Sequence, residues 1–169
     1  FVLLADATFF GSLLFGYAYL WTAAPGWPPP RLMAGSLIEP ALGLIGAGLA
    51  VAGARSAGKQ LARDGEGHSG LAGAGLALLF GTLLATALLR APAPTAHAYH
   101  AVIAVMIGYA LFHVGIALLI QIFVHRRGRA GYLSARRSAE QRIACLWTDY
   151  AAASGIVVLL ATHLPGLIA

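Results

Sequence analysis

Cysteine is nearly absent from this chain: Cys145 is the single one in 169 residues. A lone thiol excludes an internal disulfide and any cysteine-based metal cluster, and it leaves the redox compartment open. Charge is almost as scarce. Asp, Glu, Lys and Arg make up 10% of the residues, whereas soluble domains carry about 25%. Acids are the rarer sign, six against eleven Lys and Arg, and the pI is 9.9. In a soluble chain that surplus would point to nucleic acid. Here it is concentrated in one stretch between apolar runs, so a membrane reading takes precedence and no nucleic-acid partner is expected. Also missing are a histidine pair at i,i+4, a glycine-rich phosphate loop and a nucleophile triad. No catalytic, cofactor-binding or metal-ligating set can be nominated from the residues.

What the chain has in quantity is apolar sequence. Hydrophobic residues are 59% of the total and mean hydropathy is +0.78. The apolar residues fall into five runs, at about 1–22, 34–54, 70–89, 98–124 and 143–164, and the Lys and Arg residues lie between or at the ends of these runs. Each has roughly the 20 residues that a helix needs to cross a ~30 Å hydrocarbon layer. The fold class expected is all-α, a polytopic membrane bundle of five transmembrane helices forming one domain over 1–169. AAPGWPPP, ending at Pro30, and APAPTA, starting at Ala91, break the helical pattern, because proline lacks the N–H donor and forces extended geometry. Glu39-Pro40 reads as a first-turn signal for the second run. The fourth run, at ~40 Å, has to tilt or project beyond the bilayer.

Basic residues set the orientation. Segment 125–142 holds Arg126, Arg127, Arg129, Arg136, Arg137 and Arg142 against Glu140, and segment 55–69 holds Arg55, Lys59 and Arg63 with Asp64 and Glu66. The other two connections hold Arg31 and Arg90. Alternating spans place the two basic segments on one side, which the positive-inside rule makes cytoplasmic; the C-terminus is then outside. The opening FVLLAD lacks the basic flank and cleavage site of a signal peptide. It is expected to lie inside a longer polypeptide. Gly43/Ala47 and Gly48/Ala52 are small-xxx-small pairs, and Gly70, Gly73, Gly75 and Gly81 thin the third run, so close helix contacts are expected there.

Polar residues inside the runs are the functional candidates, because an ionisable group in a span is costly. Asp6 lies in the first run on the stripe that continues through Phe10, Leu13 and Tyr17. Asp149 lies in the fifth, two turns after Arg142 and too far along the axis to bridge to it; a buried pairing with another helix is expected. In the fourth run Tyr99, Met106, Tyr109 and His113 share one stripe, and Ala101, Ala104, Gly108 and Gly115 form the opposite, small face, expected to pack against a neighbour. A haem or metal on that stripe would need a second ligand at matching depth. His100 is thirteen residues away from His113, so Tyr109 and His113 read better as buried polar contacts. A small membrane transporter or membrane enzyme with a proton relay through Asp6, His113 and Asp149 is a separate possibility, and it requires the three to converge in one cavity.

The same residues carry a resemblance. The pattern Tyr99-x8-Gly108-Tyr109-x3-His113-Val114 resembles the penultimate helix of cytochrome c oxidase subunit III. Leu4 to Phe10, LADATFF, is similar to that family's S-E-x-x-F-F helix start, with Asp6 at the acid. Gly26-Trp27-Pro28-Pro29 matches its G-W-P-P loop, and Ser36 to Arg63 is similar to its next helix. Asp149 in LWTDY falls near the Asp of its W-H-F-V-D motif. The likeness covers essentially the whole chain, as the last five of seven helices, and the orientation read from the arginines agrees with it. The chain departs at Ala110, Leu111 and Leu146, where the family has His, Gly and His, and TLLATALLRA lacks its Q-x-x-E-Y element.

The resemblance implies a non-catalytic module of a respiratory haem-copper oxidase, possibly the subunit III-like part of a fused subunit I/III polypeptide. It implies packing on the catalytic subunit I, bound phospholipid, support of proton uptake and turnover stability, and a bacterial inner-membrane location. Haem and copper would belong to the partner subunit, with no cofactor in this chain. An accessory protein of a nitric oxide reductase is the alternative.

Overall fold

The computed structural model describes residues 1–23, 36–64, 69–90, 93–95 and 97–165. They form five helices: α1 (Val2–Ala23), α2 (Ile38–Asp64), α3 (Gly70–Leu89), α4 (Ala98–Arg129) and α5 (Ala139–His163). All five are long and apolar enough to cross a membrane, and no strand occurs among the described residues. The chain is an integral membrane protein built as a helix bundle. Large apolar side chains such as Phe15, Leu88, Phe112 and Leu119 stand exposed on its outside, where lipid, not water, is the solvent.

The helix ends differ from the sequence reading on one side of the bundle. Runs 34–54, 98–124 and 143–164 end or begin where charges appear, but the helices continue through those charges. α2 reaches Asp64, α4 reaches Arg129 and α5 starts at Ala139. Arg55, Lys59 and Arg63 therefore ride on a helix and not in a loop, and α4, with 32 residues, is ~48 Å long. The physical reason is that apolar composition marks the lipid-embedded part of a helix only. Backbone hydrogen bonding continues into the polar interface, and Arg126, Arg127 and Arg129 complement the negative end of the α4 dipole. At the other end Ser36 donates to Glu39 and accepts from the Ile38 N–H at 3.2 Å, a polar start for α2. The GWPP stretch and half of APAPTA (residues 91, 92 and 96) lie outside the described residues.

α2, α3, α4 and α5 close a ring, each packing on its neighbours in chain order and α5 returning to α2, with α3 also meeting α5 across the centre. The α2–α3 seam is the closest. At Gly46 an added Cβ would lie 2.9 Å from the Gly75 carbonyl oxygen and from the Leu79 nitrogen, and at Gly75 it would lie 2.6 Å from the Gly46 carbonyl oxygen. Leu79, fully buried, fills the space beside Gly43, Gly46 and Gly155 and so joins α3 to α2 and α5. Close backbone approach maximises dispersion contact, the term that must replace the hydrophobic effect between helices in lipid.

Composition alone had overstated this small-residue packing. Gly43 and Ala47 are buried in the seam, but Gly48 and Ala52 are exposed. Of the α3 glycines, Gly75 makes the close contact, while Gly70, Gly73 and Gly81 have nothing within 4 Å of an added Cβ. The small face of α4 does not pack as a unit. Gly108 is exposed with nothing near it, and Gly115 alone of the two glycines approaches a neighbour, Phe80 at 3.5 Å from an added Cβ. Spacing assigns residues to a face but does not say which face is covered.

Candidate functional site

α1 stands apart from the ring. Among its 22 residues only Phe10 and Tyr17 are buried, and it rests on α4 and α5. Its attachment is correspondingly polar. Asp6 points from its second turn onto α4 and α5, where three groups meet its carboxylate. His113 Nε2 lies 3.0 Å from Asp6 Oδ2, the Tyr150 hydroxyl donates to the same oxygen at 2.6 Å, and the Tyr109 hydroxyl donates to it as well. The two tyrosine hydroxyls also contact each other. The His113 side chain is 5% exposed and the Asp6 side chain 24%, so the pair lies below the surface that faces lipid.

The backbone determines the histidine tautomer. His113 Nδ1 lies 2.8 Å from the Tyr109 carbonyl oxygen, which can only accept, so Nδ1 carries a hydrogen. A hydrogen bond between Nε2 and the Asp6 carboxyl group then requires one further proton, on the ring or on the acid. On either side of that contact the pair has no net charge, which is what a low-dielectric setting favours. Counting hydrogens, Tyr109, Tyr150 and the shared proton supply three for four polar contacts. A hydroxyl can therefore choose between the other hydroxyl and the carboxylate by rotation alone. Aromatic rings enclose the group: Phe10 stacks on Tyr109 with centroids 5.0 Å apart, and Trp147 lies parallel to His113 at 6.4 Å.

The remaining candidates are placed elsewhere. Tyr99 shares the α4 stripe with Met106, Tyr109 and His113, and all but the half-buried Tyr109 are buried. But Tyr99 is ten residues, ~15 Å, up the helix from Tyr109 and donates to the Thr162 carbonyl of α5 at 3.4 Å. There Tyr17 of α1 donates to the Ala161 carbonyl at 2.9 Å. α1 is thus held at two depths, by Asp6 and by Tyr17. Asp149 does pair with another helix, as the sequence reading has it, through Arg55 of α2 at 3.2 Å. It is not buried, however; the side chains are 62% and 38% exposed for Arg55 and Asp149. Asp149 points to the α2 side of α5 and its neighbour Tyr150 to the α1 side. A helix turns about 100° per residue, so adjacent residues serve different seams. The convergence required for an Asp6–His113–Asp149 relay does not occur.

Tyr150 is the member of the cluster that sequence reasoning passed over. In the TDY triplet the acid draws attention, and nothing in the spacing of α5 says which residue faces α1. Two further ties were also not foreseen: Gln121 Nε2 donates to Thr148 Oγ1 at 2.8 Å between α4 and α5, and Gln141 Nε2 donates to the Ala54 carbonyl at 3.2 Å between α5 and α2. His100 is buried in the first turn of α4, and neither ring nitrogen has a hydrogen-bond partner among the described residues. Among the described residues no group of three or more His, Cys, Asp or Glu is placed to hold a metal ion. The site can bind α1 to the bundle and hold a shared proton within a membrane. No family model matches the chain, and no curated protein matches it.

Proposed function

We infer that this chain is a non-catalytic, subunit III-like module of a respiratory haem-copper oxidase in a bacterial inner membrane. The observation that carries the reading is the meeting of Asp6 with Tyr109 and His113. These are the residues on which the resemblance rests, they lie more than a hundred positions apart, and they belong to two separate motifs. The five-helix bundle and the collection of nine of the eleven Lys and Arg at one end support it further, with that end cytoplasmic and the C-terminus outside. In this reading the module packs on the catalytic subunit I, holds phospholipid against its apolar outer surface, and supports proton uptake and stability during turnover. Haem and copper belong to that partner.

Two measurements test the assignment. The chain expressed alone should show no haem absorbance, and a stoichiometric haem spectrum from it would overturn the reading. In the complex, Asp6→Asn should leave the initial rate of oxygen reduction near wild type; complete loss of that rate would give Asp6 a part in the chemistry. The catalytic subunit that co-purifies distinguishes the oxidase from a nitric oxide reductase carrying the same kind of accessory module.

A further inference from the structure

The basic end of the bundle contains an arginine-lined cavity that the proposed role does not use. Residues 130–138 fold back over the ends of α4 and α5. Gly131 takes φ +75, a conformation that favours glycine, the Tyr132 N–H bonds to the Arg127 carbonyl at 3.0 Å, and Leu133 is buried beside Leu61, Val124 and Ala144. The result is a cavity of about 290 Å³ lined by Arg127, Arg136, Arg137 and Arg142, with Tyr132 and Glu140. Glu140 pairs with Arg127 at 2.8 Å, and the Arg127 guanidinium also lies 5.0 Å over the Tyr132 ring. Arg136, Arg137 and Arg142 have no acidic partner among the described residues. Three like charges lining one small cavity repel one another, and an anion there removes that repulsion.

Arg142 also borders a second space. On its other side a groove of about 440 Å³ runs between α2 and α5, with Leu61, Ala62, Cys145 and Leu146 among its walls. Ile143 and Leu146 are exposed beside it. A polar, arginine-lined cavity thus shares one arginine with an apolar groove whose edge carries the exposed Ile143 and Leu146. We propose that this pair of spaces is a specific site for an anionic phospholipid, with the phosphate among Arg136, Arg137 and Arg142 and an acyl chain in the α2–α5 groove. A soluble phosphate would satisfy the guanidinium groups but leave the apolar groove without function, and a zwitterionic lipid would bring its own positive charge to a cavity that already holds several. The proposal deepens the lipid binding proposed above. It rests on the membrane embedding and not on the respiratory role, so either can fail alone.

The test uses the intact membrane protein containing this chain, reconstituted in bilayers of equal phosphatidylglycerol and phosphatidylcholine, extracted in mild detergent and weighed by native mass spectrometry. The wild type should retain phosphatidylglycerol in preference to phosphatidylcholine. Arg136→Gln with Arg142→Gln should reduce that retention roughly tenfold or more, and lysine at both positions should preserve most of it. Leu146→Trp, which fills the groove and changes no charge, should reduce it too. Arg126→Gln with Arg129→Gln, at the same end but outside the cavity, should leave it in place. Equal retention of the two lipids, or equal loss from both arginine pairs, overturns the site. If excess inorganic phosphate displaces the lipid, or Leu146→Trp has no effect, the cavity takes a soluble anion and the lipid proposal fails.

Discussion

Gly75→Ala is expected to be the most damaging single-methyl change in the bundle. The new Cβ would meet the backbone of α2, at the Ala50 nitrogen and, at 2.6 Å, the Gly46 carbonyl oxygen. No side-chain rotation can relieve a clash with backbone, so the helices have to separate along their closest seam. Leu79 would then lose its fit against Gly43, Gly46 and Gly155. Overpacking of this kind costs ~2 kcal/mol. For a chain of this length that lowers Tm by roughly 4–8 °C, measured by thermal unfolding in detergent against the wild type. Gly81→Ala provides the control, because nothing lies within 4 Å of its added Cβ. In a helix interior alanine is favoured over glycine by about 1 kcal/mol, so its Tm should stay level or rise. Equal behaviour of the two variants would mean that α2 and α3 do not approach as described.

The second large effect is expected at Asp6, and it should be local. Asp6→Ala removes the common partner of His113, Tyr109 and Tyr150. Interhelical hydrogen bonds in membranes average ~0.6 kcal/mol each, so three lost contacts cost about 2 kcal/mol. The loss falls on the helix with the fewest buried residues. Hydrogen exchange should therefore quicken along α1 while α3, held by the central seam, keeps its protection. Exchange rising equally in α1 and α3 would show that α1 is integral to the ring. A double-mutant cycle isolates the pair: Asp6→Ala and His113→Ala together should cost less than the sum of the two alone. Strict additivity would mean that the 3.0 Å contact contributes nothing.

The two variants probe different means of joining helices in lipid. The ring of α2 to α5 is held by backbone proximity at glycines and by large buried apolar residues such as Leu76, Leu79, Leu83, Met106 and Leu159. The ties that add to it are few and short, such as Gln121 to Thr148 and Gln141 to the Ala54 carbonyl. α1 has no glycine seam: neither Gly11 nor Gly16 has anything within 4 Å of an added Cβ. It depends on the Asp6 cluster, the Phe10–Tyr109 stack and the Tyr17 hydroxyl instead. A helix attached in that way can be displaced without unfolding the ring. The Asp6→Asn turnover measurement and the hydrogen exchange of Asp6→Ala therefore report on one structural unit, once by function and once by stability.

Much of this architecture was determined by the sequence alone. Five apolar runs, scarce charge and prolines between spans required five membrane helices, because backbone polar groups in hydrocarbon have to be satisfied within a segment. The alternation of five successive spans put the two basic segments at the same end of the bundle. The 3.6-residue period placed Tyr109 and His113 on one stripe and marked Asp6 as an acid that needs a partner. Pairing between helices lay outside what periodicity can supply, since it depends on rotation and depth of one helix against another. Only the tertiary structure could decide that Asp6 meets His113 while Asp149 meets Arg55, that Tyr150 joins the cluster, and that Gly75 packs while Gly81 does not. It alone showed three arginines from a short connection and the start of α5 lining one cavity. Composition sets the medium each helix occupies, and contacts among residues distant in sequence are set by how the helices settle against each other.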